Sequence, residues 1–170
     1  ADDLVEPLAL RGERCVLVVP GDTYERSGND RSTLNPARPD DYQRLLADVA
    51  SSGRDLRGIV HLWSLDLPQL EADTPAQLLV DRQSVTCASV LHLVQAVAER
   101  VNRAPRLWLV TRGAKPVGGS ATLPGLWQST LWGLGSVVGW ELPQLQCTCV
   151  DLDPAKPNSV QQLLQELTHP

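Results

Sequence analysis

Four short stretches of the chain are apolar at nearly every residue: Arg14–Val19, Leu56–Asp66, Arg106–Thr111 and Leu145–Leu152. Runs of that length rich in Val, Ile and Leu cannot alternate between core and solvent, so each reads as a strand buried on both faces. They recur every forty-odd residues with helical patterns between them, which predicts a parallel sheet covered by helices on both sides. Leu56–Asp66, a polar lead-in and a glycine followed by Ile59, Val60, Leu62 and Trp63, is expected to be the central strand.

The helices follow from spacing and punctuation. Leu4, Val5, Leu8 and Ala9 define a short helix stopped by Gly12, with Pro7 tolerated only near its start. Pro39 opens a second, with Tyr42, Leu45, Leu46 and Val49 as its buried stripe and Gly53 as its end. The polar residues from Glu25 to Arg38 read as a mobile loop. Thr74, Pro75 and Gln77 form an N-cap, first-turn proline and capping box for one helix reaching Asn102, about 42 Å long at 1.5 Å per residue. Gly113–Ser120 reads as a flexible loop. Leu126–Trp140 is helical despite three glycines, with Gly135 and Gly139 one turn apart and expected to seat another helix. The polar residues Gln128, Ser129, Thr130 and Glu141 argue against a membrane dimer motif there. Pro157 is expected to open a last helix through Leu163, Leu164 and Leu167.

Composition narrows the function classes. The chain has 170 residues, 42% apolar and 21% charged, which suits one globular domain burying roughly 70% of its unfolded surface. Net charge is −5 and the 15 basic residues are scattered singly, so no basic patch offers itself to nucleic acid or an anionic membrane. No apolar run approaches a membrane span, and no basic-then-apolar leader is visible. Of the four cysteines, Cys147 and Cys149 fall on one face of a strand about 7 Å apart, too far for an undistorted disulfide. A C-x-C pair could ligate a metal, but no second cluster supplies the remaining ligands. Buried free thiols in a reducing, cytoplasmic compartment are expected.

Dinucleotide chemistry needs a glycine-rich turn between the first strand and its helix. None occurs; Gly133–Gly135 sits in a helix, Gly118-Gly119 comes too late, and Val19-Pro20-Gly21-Asp22 has an acid where an NADP site wants an arginine. Gly119-Ser120 lacks the second glycine of a nucleophile elbow. His61 reads as a hydrogen-bonded core residue, Cys15 has no partner base, and Asp66 and Asp151 at strand ends read as caps for the loops that follow. No catalytic, cofactor-binding or metal-binding residue is therefore assigned.

Taken together, His61–Asp66, Leu107–Ala114, Leu131–Gly135 and Val150–Pro154 resemble, in order and separation, the structural subdomain of ketoreductase domains in modular polyketide synthases. The resemblance covers about residues 10 to 168 and extends to the pseudo-ketoreductase of animal fatty acid synthase. It implies a truncated Rossmann-like, short-chain-dehydrogenase-like α/β fold. It also implies a single non-catalytic subdomain over 1–170, a fragment of a larger multidomain chain. Its partners would be the catalytic ketoreductase subdomain of the same polypeptide, which would hold NADPH, and neighbouring synthase domains. On this resemblance His61–Ser64 stands where a reductase has its cofactor-lining turn, and Thr111 lies near the catalytic serine. Leu131 replaces the catalytic Tyr and Gly135 the Lys; no Tyr or Lys lies within that helix. Family members usually begin with a strand and helix of which only residues 1–5 are expected to be present here, and continue into a further strand. The alternatives are a pseudo-ketoreductase that anchors a methyltransferase or dehydratase, and a fragment of a free-standing short-chain reductase.

Overall fold

The computed structural model describes residues 1–28, 30–66, 74–100, 103–116, 124–156 and 159–168, with the side chains of Ala76, Leu79 and Ser84 left undescribed. The α/β expectation holds. Helix α1 (Asp2–Ala9) leads into β1 (Leu17–Pro20), and α2 (Pro39–Ser51) leads into β4 (Gly58–His61). Two helices, α3 (Ala76–Gln83) and α4 (Ser89–Arg100), precede β5 (Arg106–Arg112); α5 (Thr130–Glu141) precedes β6 (Thr148–Leu152), and α6 (Val160–Thr168) closes the chain. Strands β4, β5 and β6 form a parallel sheet in that order. Leu107 and Leu109 face a core made with α2, α4 and α5, while Val110 and Leu152 face a second core with Leu4, Leu163 and Leu164 of α1 and α6. Helices thus cover both faces.

The first strand departs from expectation. It belongs to a separate three-stranded sheet, ordered β1-β3-β2, with β3 (Arg31–Leu34) parallel to β1 and β2 (Glu25–Ser27) antiparallel to β3. The residues expected to be a mobile loop therefore contain a hairpin. Its polarity hid it: every β2 side chain is exposed, and only Ser32 and Leu34 of β3 are buried. The expected central strand is correspondingly short and lies at an edge. After His61 the chain winds into a 3₁₀ turn (Trp63–Asp66), so Trp63 is not in the sheet and is only half-buried, whereas Trp108 in β5 is buried.

The long helix is also interrupted. Residues Ser84–Ala88 form a π-turn between α3 and α4, where the Thr86 hydroxyl donates to the Arg82 carbonyl at 3.1 Å and the Ser89 hydroxyl to that of Val85 at 2.7 Å. Hydroxyls bonding back into the preceding turn compete with the regular ladder. Gln77, in the first turn of α3, donates to Asp81 at 3.0 Å along the helix. Of the other sequence expectations, Val101, Asn102, Gly118, Gly119, Ser120 and Pro157 lie outside the described residues.

The two glycines of α5 have different environments. A Cβ on Gly135 would lie 2.4 Å from Cys149 Sγ and 3.3 Å from Leu109, so this glycine seats the helix on β5 and β6 and not on another helix. Gly139 has open space around it. Gly135→Val is expected to lower stability by about 1–3 kcal/mol through overpacking. Gly139→Ala should raise it by up to about 1 kcal/mol through helix propensity. Urea midpoints of the two variants check this; equal shifts in both would contradict the packing described.

Candidate functional site

In an open parallel sheet, ligands bind beyond the carboxyl ends of the strands. Among the described residues, several side chains there bond to one another. Thr111, fully buried near the end of β5, donates its hydroxyl proton to Asp151 Oδ1 at 2.7 Å and accepts the indole N–H of Trp132 at 3.0 Å. The Asp151 carboxylate also receives the backbone N–H groups of Ala114 at 3.0 Å and Lys115 at 2.9 Å, which folds the segment after β5 down over β6. Lys115 Nζ lies 4.8 Å from the centre of the Trp132 ring. Gln128, buried, accepts the Arg112 backbone N–H at 3.0 Å. The reading of Asp151 as a loop cap is therefore right, and the Thr111 hydroxyl has both its donor and an acceptor position engaged.

At the end of β4, too, side chains are hydrogen-bonded within the chain. Ser64, fully buried, donates to the Val110 carbonyl, and Trp63 donates its indole N–H to Val18 O at 3.1 Å. The residues 61–64 that the reductase resemblance would place against a cofactor thus run from the end of β4 into the 3₁₀ turn, with Trp63 and Ser64 hydrogen-bonded within the chain.

His61 is a core histidine. Its Nε2 lies 2.8 Å from Ser89 Oγ, whose own proton goes to the carbonyls of Val85 and Thr86, so Nε2 donates and Nδ1 is the unprotonated nitrogen. Among the described residues Nδ1 has no hydrogen-bond partner. Burial lowers its pKa from 6.5 to about 4. Between those values the unfolded chain binds a proton that the folded chain refuses, so stability present above pH 6.5 is lost as pH falls toward 4, by about 1.4 kcal/mol per unit. A His61→Gln variant should show a flatter pH–stability profile over that range; an unchanged slope would place the titration elsewhere.

The thiols are half-buried, where full burial was expected, and all four are free. Cys147 donates its S–H to Cys149, which pushes its own pKa up and holds that of Cys149 below the usual thiol range, with the Lys115 charge assisting. Cys15 lies just ahead of β1 and Cys87 in the π-turn.

Outside the crevice, α4 and α5 turn an apolar face to solvent that the sequence reading did not assign. Helix α5 is apolar almost all round, yet it buries Leu131, Gly135 and Val138 while leaving Gly133, Ser136, Val137 and Trp140 exposed on one stripe. Trp140 is 88% exposed, Val137 49%, and Leu91 on α4 44%. A shallow cleft between the helices is lined by Gln83, Cys87, Ala88, Leu91 and Leu134. Helices apolar all round are normally covered. The available signal was the 133, 136, 137, 140 spacing, which the glycine argument obscured.

This architecture, a parallel sheet with helices on both faces, is a Rossmann-like fold of the short-chain dehydrogenase type. A Serratia marcescens short-chain dehydrogenase/reductase variant superimposes on 99% of the chain with a TM-score of 0.70 at 18% identity, over 84% of its own length. A multidomain adenylation, ketoreductase and pseudo-Asub structure of a keto acid-selecting NRPS module matches 99% of the chain with a TM-score of 0.87 at 23% identity, over 14% of its length. The chain belongs to the family described as β-ketoacyl synthase-like, N-terminal, matched over residues 3–120. It is also 35% identical over 142 residues to polyketide synthase GfsA of Streptomyces halstedii, a match covering 80% of this chain but 2% of the synthase. The chain therefore spans a small part of such relatives. No helix among the described residues is long and apolar enough to cross a membrane.

Proposed function

We propose that residues 1–170 are the non-catalytic, structural half of a ketoreductase region within a polyketide synthase or related megasynthase. They brace an NADPH-binding catalytic half of the same polypeptide and position it among neighbouring synthase domains, in the cytoplasm. Helix α5 carries this reading. Where the resemblance would place a catalytic Tyr and Lys, it has Leu131 and Gly135 packed inward, and it turns the Gly133, Ser136, Val137, Trp140 stripe outward. A helix that has no acid–base groups but presents an unpartnered apolar face suits docking better than turnover.

Co-expression tests the proposal. The chain and the catalytic half that follows it, produced as separate polypeptides, should co-purify, and ketone reduction should require both. A catalytic half equally stable and equally active without residues 1–170 would refute the bracing role.

A further inference from the structure

The side of β6 that lies under α5 carries two sulfurs. Cys147, just before β6, and Cys149, within it, are two residues apart, so their side chains point the same way. Both pack against the core beneath α5, as Leu134 and Leu142 do. The helix gives way to them: at Gly135, the point where a Cβ would stand is 2.4 Å from Cys149 Sγ and 3.8 Å from Cys147 Sγ. A side chain at position 135 would fill the space that the two sulfurs share. Leu109 closes the inner wall, 3.3 Å from the same point. The thiols are nevertheless half-buried, because among the described residues β6 pairs with β5 alone and so borders the sheet.

Three chemistries are open to such a pair. A disulfide requires sulfurs about 2.05 Å apart, and same-face neighbours on a strand, about 7 Å apart at the backbone, do not reach that without distortion. A tetrahedral zinc site needs two more ligands, and among the described residues no group of three or more His, Cys, Asp or Glu comes together. A two-coordinate ion needs neither. With metal–thiolate bonds of about 2.3 Å, a linear bridge holds its sulfurs about 4.6 Å apart, a span that same-face neighbours reach by leaning together.

We propose that Cys147 and Cys149 form a two-coordinate site for a soft monovalent cation, copper(I) by chemical preference, seated between β6 and the Gly135 notch of α5. Thiolate ligands select such an ion over hard cations. Proton placement suits it. The hydrogen bond from Cys147 and the Lys115 charge hold the pKa of Cys149 down, so one thiolate is prepared, and Cys147 keeps the proton that the ion displaces. On binding, two S–Cu bonds form, the thiol protons pass to solvent, and no electron is transferred. The site lies on the buried side of α5, away from its exposed Val137 and Trp140, and rests on no part of the bracing role.

Anaerobic titration of the folded chain with copper(I), in competition with the chromophoric chelator bicinchoninate, tests the proposal. The expected result is one ion per chain, with X-ray absorption showing two sulfur neighbours. The bound ion should protect Cys147 and Cys149, but not Cys15 or Cys87, from alkylation read by mass spectrometry. Cys147→Ser and Cys149→Ser should each weaken binding about a hundredfold or more, because each removes one of only two soft ligands. The double variant Cys15→Ser with Cys87→Ser should bind as the unaltered chain does. Alkylation mapping uses the unaltered chain, so it decides the matter even where a serine variant unfolds. Failure to compete with the chelator overturns the inference, as does an ion retained by Cys149→Ser or protection that falls on Cys15 or Cys87. Equal affinity for zinc(II) at the same two cysteines, or a third sulfur neighbour, overturns the two-coordinate assignment.

Discussion

Trp108→Ala is expected to lower the stability of the chain by about 3–5 kcal/mol, a large fraction of what holds a domain of this size together. Trp108 sits in β5, the middle strand of the β4-β5-β6 sheet, and is buried. Its ring lies over Gly58, where a Cβ would come within 2.7 Å of it, and the Arg106 guanidinium stacks at 4.8 Å. Removing the ring therefore leaves a cavity that neither the flat glycine nor the arginine can fill. Thermal and urea unfolding measure the loss. Trp63→Ala should cost clearly less, because Trp63 is half-buried in a turn and contributes one hydrogen bond to Val18. Equal losses in the two variants would mean that the distinction between strand and turn is wrong.

The second large effect concerns association. Val137→Glu combined with Trp140→Glu should weaken pairing with the catalytic half at least a hundredfold while leaving the melting temperature of the isolated chain nearly unchanged. Both side chains are exposed in residues 1–170, so the charges stay solvated there. In a docked interface each substitution forfeits about 1.5–3 kcal/mol of apolar burial and buries a carboxylate. Co-purification of the separately produced halves, together with unfolding of the variant chain, reads both quantities. Undiminished pairing would move the interface away from α5.

The elements legible in the sequence are those whose side chains report burial directly. The strands at Val18, Ile59, Leu109 and Val150 announce themselves by continuous apolar runs, and α2 by the Tyr42, Leu45, Leu46 spacing after Pro39. The β2–β3 hairpin was illegible because its backbone pairs while its side chains, apart from Ser32 and Leu34, stay near solvent. The π-turn was illegible for another reason: Val85, Val90 and Val94 look like one helical stripe, and only the Thr86 and Ser89 hydroxyls mark the break. Gly135 and Gly139 have identical local sequence value, and only the neighbouring Cys149 separates their roles. At the crevice, Asp151 was legible as a cap. The Thr111–Asp151–Trp132 network, by contrast, bonds residues 21 and 40 positions apart, a relation no local spacing encodes.

That network and the Trp63 turn support the proposal that the chain braces a reductase and does not itself receive the cofactor. Calorimetric titration of folded residues 1–170 with NADPH tests it most directly. The expected trace is heat of dilution alone across millimolar nucleotide. A saturable isotherm with a dissociation constant in the micromolar range, abolished by Thr111→Val or Trp63→Ala, would contradict the claim and make the chain a reductase in its own right.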